Sequence, residues 1–137
     1  AYIEDERLDT VLKQYQSQLI VAGSEVTNVG NDARLPFITQ EHIRAMEDLI
    51  DELEEGLEPL TNFILPAGGK ASAHLHLART ASRKVERRLV YLRSGMEVNP
   101  LLLAYFNRLS DTLFVLARYA AKLSGNGDEI WTNPKQG

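Results

Sequence analysis

Residues 99–124 read NPLLLAYFNRLSDTLFVLARYAAKLS, and this stretch decides the fold. Asn99 followed by Pro100 is a helix-start signal, because Asn caps free backbone N–H groups and Pro suits a first helical position that needs no N–H. Leu102, Phe106, Leu109, Leu113, Leu116, Ala120 and Leu123 then form one stripe at helical spacing, with Leu103, Phe114 and Tyr119 elsewhere on the circumference, until Gly125 closes the run. A helix that is apolar around so much of its girth should sit centrally, touched by several neighbours or by another subunit.

The segments before it supply those neighbours. Residues 63–92, FILPAGGKASAHLHLARTASRKVERRLVYL, predict a loop and then a third helix that opens at Gly69 or Ser72 and runs to about Arg93, with Gly95 as its stop. At 100° per residue Arg79, Arg83, Glu86 and Arg87 share one side, with His76 beside them. Ala78, Ala81, Val85, Leu89 and Leu92 take the other side, which is the one expected to bury. Further upstream, Thr39 caps a second helix carrying Ile43, Met46, Leu49, Ile50, Leu53 and Leu57 and ending near Gly56. A first helix spans about Ile3 to Val26 on Leu8, Val11, Leu12, Tyr15, Leu19, Ala22 and Val26, and residues 27–37 connect the two. After the fourth helix, the tail has only Ile130 and Trp131 to dock it. No segment alternates with period two long enough to make a strand, so the expectation is all-α: an antiparallel, up-and-down helical bundle forming one domain over residues 1–137.

Composition narrows the function. The 137 residues are 44% hydrophobic and 25% charged, the balance of an ordinary globule with a real core. A net charge of -4 argues against general binding to nucleic acid or a membrane surface, since either needs a basic excess over a broad face. The chain has no cysteine, which excludes disulfides and thiolate metal sites and fits a cytoplasmic protein. There is no apolar run of about 18 residues and no signal-peptide pattern. The chain opens on Ala1 inside a helical pattern, so an N-terminal portion is expected to precede it.

Against that acidic background, the third helix gathers Arg79, Arg83, Lys84, Arg87 and Arg88 around a single acid, Glu86. Two readings stand side by side: solvated or intersubunit ion pairs, or a polyphosphate clamp in which guanidinium forks bond phosphate oxygens in pairs and Glu86 orients Arg83 or Arg87. Gly68-Gly69-Lys70 is not a Walker motif, because Ile64 stands where the first glycine belongs and no Ser or Thr follows Lys70. A helix start after two glycines can still offer backbone amides to an anion. His42, His74 and His76 form no metal set; His74 and His76 project about 200° apart on a helix, and structural or hydrogen-bonding roles are expected. On the fourth helix Asn107 and Asp111 share a face, and either Asp111 joins an arginine in a structural network or Asn107 reaches a ligand. Phe63, in a loop, reads as a core plug or as a ligand contact.

Taken together, FILPAGG at 63–69, LHLARTASRKVERR at 75–88 and YFNRLSDTLFVLARYA at 105–120 resemble the PduO-type ATP:cob(I)alamin adenosyltransferases. LKQYQSQLIVAGSEV, from Leu12, is also similar, so the resemblance extends from about Leu12 to Trp131. It implies a five-helix bundle assembled as a homotrimer, with ATP and the corrinoid between adjacent subunits. It also implies transfer of the 5′-deoxyadenosyl group of ATP to cob(I)alamin, with triphosphate released and Mg²⁺ accompanying it. Position by position, Arg79, Arg83 and Glu86 would be catalytic, Arg83, Arg87, Asn107 and Lys70 would contact ATP, Phe63 would line the corrin pocket, and Asp111 would support the site. A corrinoid reductase and an adenosylcobalamin-dependent enzyme are the implied partners. The family's Thr- and Gly-rich nucleotide segment and first helix, whose Asp pairs with the arginine matching Arg79, have no counterpart here, and position 84 is Lys where many relatives carry Arg. The competing expectation, from another class, is a helical interaction module whose basic face binds an acidic partner protein.

Overall fold

The structure is a computed structural model, and it describes residues 5–27, 35–60, 63–65, 68–125, 127–128, 130–132 and 134. Its helices are α1 (Glu6–Thr27), α2 (Gln40–Glu54), α3 (Lys70–Leu92) and α4 (Pro100–Leu123). The expected ends hold closely. Asn99 caps α4 by accepting the Leu101 N–H at 3.0 Å with Pro100 directly behind it, and Gly69 opens α3. At the start of α2 the Thr39 N–H donates to Nδ1 of His42 at 3.0 Å, which gives that histidine the structural role foreseen for it. Residues 3 and 4 of the expected first helix, and residues 28–34 of the connection after it, lie outside the described residues.

The helices alternate in direction. Asp5 and Gln18 on or before α1 bond Tyr119 and Tyr105 of α4, so the two helices run oppositely. Arg7 meets Glu52 while Glu25 meets Ile38, which sets α1 against α2 in the same way. His76, Ser82 and Glu86 of α3 pair with Phe114, Ser110 and Asn107 of α4, again in opposite order. Glu25 ties three elements at one end: its carboxylate accepts the Ile38 N–H at 2.8 Å and the Asn99 side-chain N–H at 2.7 Å.

As its girth predicts, α4 is the central helix. Leu102, Tyr105, Leu109, Leu113, Leu116, Ala117 and Ala120 are buried, and α2 and α3 both pack on it. Burial of each of these leucines is worth about 1.5–3 kcal/mol, so α4 carries much of the core. Desolvation pushes the Tyr15 phenol up to about 12 and raises that of Tyr105 further. Both rings therefore stay neutral and act as apolar volume with one polar handle, Tyr105 donating to Gln18 at 2.9 Å.

One expectation about α3 is overturned. Of the residues assigned to its buried side only Leu89 is buried; Ala78 and Ala81 are exposed, as are Val85 and Leu92 at 39% each. The face against α4 is instead Ser72, Leu75, His76, Ser82 and Leu89. Short hydroxyls make this possible, because they can approach another helix closely and satisfy themselves there. Ser82 donates to the Phe106 carbonyl at 3.2 Å, and Ser110 donates to Ser82 at 3.1 Å or back to Phe106 at 2.9 Å. Counting apolar residues alone selected the wrong side. On α1, Leu19 likewise lies outside the core at 41% exposure.

Candidate functional site

The seam between α3 and α4 brings the sequence-predicted residues together at graded depths. Arg79 is half-buried, with its guanidinium carbon 5.2 Å from the centre of the Phe114 ring, a cation–π arrangement. His76, one turn earlier and buried, meets the same ring edge-on at 5.8 Å. Burial lowers the His76 pKa, the Arg79 charge lowers it further and Asp128 opposes both, so the imidazole is held neutral beside a permanent cation. Phe114 is thus the platform of the site, and the sequence had placed it only as an extra apolar residue of α4.

One turn after Arg79, Arg83 points outward, and Arg87 follows it. Both are exposed, and among the described residues no carboxylate pairs with either, nor with Lys84 or Arg88. Glu86, half-buried, does not orient Arg83 or Arg87 as expected. It accepts a side-chain N–H from Asn107 at 3.2 Å across the seam. The reason is geometric: Glu86 lies on the side of α3 that meets α4, so the nearest partner belongs to the neighbouring helix. Two of the predicted residues, Glu86 and Asn107, therefore form one unit, and the guanidiniums of Arg83 and Arg87 keep their donors available.

A cleft of about 320 Å³ opens beside this row between α2, α3 and α4, lined by Glu54, Arg79, Arg108, Asp111 and Phe114 among others. Asp111 accepts from Arg108 at 2.7 Å, so the expected link between Asp111 and an arginine exists, on the surface of one helix. Such an exposed pair is worth about 0.2–1 kcal/mol, and its effect is to hold both side chains at the rim of the cleft.

The loop before α3 carries the remaining candidates. Lys70 is exposed in the first turn, and His74 is exposed apart from His76. Gly68 and Gly69 have φ of 95° and 106°, backbone that favours glycine. At Gly68 there is also no room: a Cβ would stand 2.9 Å from both the Ala121 Cβ and the Gly127 carbonyl oxygen. Phe63 is not a core plug. The residue is 79% exposed, and its ring forms a T-shaped pair with Trp131 at 6.1 Å. The tail docks as expected through Ile130 and Trp131, by an isolated bridge between Ile64 and Ile130 and a 2.7 Å bond from the Trp131 N–H to the Phe63 carbonyl. It docks also through a pair the sequence reading missed, Asp128 with buried Arg118 at 2.9 Å, although an arginine inside an apolar run was the available signal.

Among the described residues no group of three or more His, Cys, Asp or Glu side chains could hold a metal ion. Nor is any described helix long and apolar enough to cross a membrane.

Comparison with known proteins gives the site its context. The family model for cobalamin adenosyltransferase matches residues 1–120. The chain is 41% identical over 119 residues to the corrinoid adenosyltransferase PduO of Salmonella typhimurium, covering 83% of this chain and 34% of that protein. It is 39% identical over 125 residues to the human corrinoid adenosyltransferase MMAB, covering 88% of this chain and 50% of the relative. The chain thus spans between a third and a half of the length of these curated relatives. Among solved structures, a PduO-type ATP:corrinoid adenosyltransferase from Lactobacillus reuteri, a phenylalanine-to-alanine variant complexed with cobalamin and ATP, superimposes with a TM-score of 0.87 at 30% identity. That match covers 96% of this chain and 75% of the other. An arginine-to-lysine variant of a PduO-type enzyme from the same organism, complexed with ATP, gives 0.85 at 30% identity over 93% of this chain and 72% of the other.

Proposed function

This chain belongs to the cobalamin adenosyltransferase family, and from that premise we propose that it transfers the 5′-deoxyadenosyl group of ATP to cob(I)alamin, making adenosylcobalamin and triphosphate. The observation that carries the proposal is the pair of exposed guanidiniums, Arg83 and Arg87, left without carboxylate partners among the described residues, on the same helix as a stacked Arg79. An anion is what such a row lacks.

In the reaction, Co(I) of the corrinoid substrate attacks the 5′ carbon of ATP. A cobalt–carbon bond forms, the bond from that carbon to the triphosphate oxygen breaks, and the electron pair leaves with the triphosphate. The protein supplies no nucleophile. Its work is to hold the reactants in line and to stabilise charge growing on the leaving group, the task for which fixed guanidiniums are suited. Arg79, Arg83 and Arg87 do this, with Glu86 fixing Asn107 so that the remaining amide hydrogen and oxygen of Asn107 face ATP. Lys70, in the first turn of α3 and about 20 Å along it from Arg83, would contact ATP at a point apart from the arginines. Asp111 steadies Arg108 at the edge of the site.

Phe63 packs under the corrin on its lower face, where an apolar ring that keeps water and the lower base off cobalt favours four-coordinate cob(II)alamin and eases its reduction. Mg²⁺ arrives with the triphosphate; the described residues offer no carboxylate cage for it, and no step is assigned to a protein-held metal. The working form is a homotrimer in the cytoplasm with the site completed between protomers, served by a corrinoid reductase and an adenosylcobalamin-dependent enzyme.

The test is direct. Mixed with ATP and chemically reduced cob(I)alamin, the protein should produce the light-sensitive spectrum of adenosylcobalamin. A module that only binds an acidic partner would leave the spectrum of cob(I)alamin unchanged, and that result overturns the proposal.

A further inference from the structure

We propose that Trp131 is a positioning residue for this reaction: its indole, carried on a strap that Asp128 fastens to Arg118, sets the attitude of the Phe63 ring toward the corrinoid. The inference rests on the role given to Phe63 above.

The strap is fixed at successive points. The Gly127 N–H donates to the Ala121 carbonyl at 3.0 Å, Asp128 accepts from Arg118 Nε at 2.9 Å, and Ile130 bridges to Ile64. The Trp131 N–H then reaches the Phe63 carbonyl at 2.7 Å. The other end of the same loop is pressed on the strap at Gly68, where only a missing Cβ allows the approach to the Gly127 oxygen. Arg118 is the shared anchor. Its side chain is 8% exposed, and it also donates to the Glu58 carbonyl, so one guanidinium fixes the loop after α2 and the tail together. A buried ion pair gains little stability over apolar packing. What it does give is a fixed direction.

What this apparatus holds, however, is hardly buried at all. Phe63 is 79% exposed and Trp131 is 41% exposed. A ring that stands in solvent is oriented by its few neighbours, and the T-shaped pair of Phe63 with the indole, centroids 6.1 Å apart and planes at 80°, is such a contact. An edge-to-face pair of this kind biases the ring's population by roughly two- to tenfold. A ring meant to cover the lower face of a corrin has to be presented outward, and the strap lets it face solvent without losing its orientation.

The experiment compares the protein with Trp131→Ala and Trp131→Phe, each assayed for adenosylcobalamin formation from cob(II)alamin with a reductant and from prereduced cob(I)alamin. Trp131→Ala should lose about five- to tenfold from cob(II)alamin, several times more than it loses from cob(I)alamin, and Trp131→Phe should recover most of that loss. Equal losses from both substrates, no loss from either, or a Phe variant as poor as the Ala variant overturns the proposal. Because the chain has a single tryptophan, fluorescence reads the contact without turnover, even if Trp131→Ala fails to fold. Phe63→Ala should lower the anisotropy of Trp131 emission, and unchanged anisotropy breaks the coupling whatever the kinetics. A wild-type protein that adenosylates nothing would defeat the proposed function, and the anisotropy arm would still decide whether the two rings hold each other.

Discussion

Asn107 and Glu86 face each other across the α3–α4 seam, the amide donating to Oε2 at 3.2 Å. The bond joins a residue expected to contact ATP to one expected to steer arginines, so the two cannot be altered independently. Removing Asn107 takes away the amide expected to meet ATP and leaves the half-buried Glu86 carboxylate without its partner across the seam. Asn107→Ala should raise the KM for ATP by about tenfold, and the double variant with Glu86→Ala should lose less than the sum of the single losses. A strictly additive cycle in initial rates would show that the seam bond plays no part in ATP use.

Arg83 is exposed, which makes it the cleanest probe of the clamp, because its removal disturbs no core. Arg83→Ala should reduce turnover on the order of 10²-fold while light scattering reports an unchanged oligomer. Unaltered kinetics would exclude this guanidinium from the site.

Phe63→Ala should damage reaction from cob(II)alamin more than reaction from cob(I)alamin supplied already reduced. The ring is too exposed for its loss to matter to folding, so a melting temperature close to wild type is the companion expectation. Matched losses from the two substrates would argue against a role in reduction.

His76 makes stability depend on pH. Its folded pKa lies below the unfolded value of about 6.5, so the unfolded chain binds the extra proton more readily. The contribution is therefore complete above that unfolded value and is lost as pH falls below it toward the folded pKa. Urea midpoints for the wild type should drop between neutral and mildly acidic buffer, and His76→Gln should flatten that drop. A variant with the same slope would assign the acid sensitivity to other groups.

Asp128→Ala leaves the Arg118 guanidinium buried with a carbonyl but no counter-charge. The expected cost is about 3–5 kcal/mol, toward the lower value because the bond to Glu58 survives. Denaturant unfolding measures it, and a change under about 0.5 kcal/mol would mean that water already reaches the pair.

The helices were legible because their punctuation is local: Thr39, Gly69, Asn99 with Pro100, and Gly125 all act within a turn of themselves. The central place of α4 was legible for a similar reason, since its apolar girth demands several neighbours. The buried face of α3 was not. Its alanines and valine advertise burial, but which side meets α4 depends on Ser82 finding Ser110 and on Arg79 finding Phe114, partners that stand far along the chain. The same limit hid the partner of Glu86. Spacing within one helix shows which residues share a side, and only the facing helix decides which of them pair. Arg118 with Asp128 and Phe63 with Trp131 belong to this class too, because each pairing forms only once the tail has folded back.

The hydroxyls of Ser82 and Ser110 act on the arginines from a distance. Being short, they work at one alignment of α3 on α4 only. A slide of one turn, about 5.4 Å, would carry Ser82 away from both Ser110 and the Phe106 carbonyl, and would leave Ser110 only the bond to Phe106 on its own helix. Two of the smallest side chains in the protein thus calibrate the ruler along which its guanidiniums are spaced, and a bulkier residue at either position would shift every graduation at once.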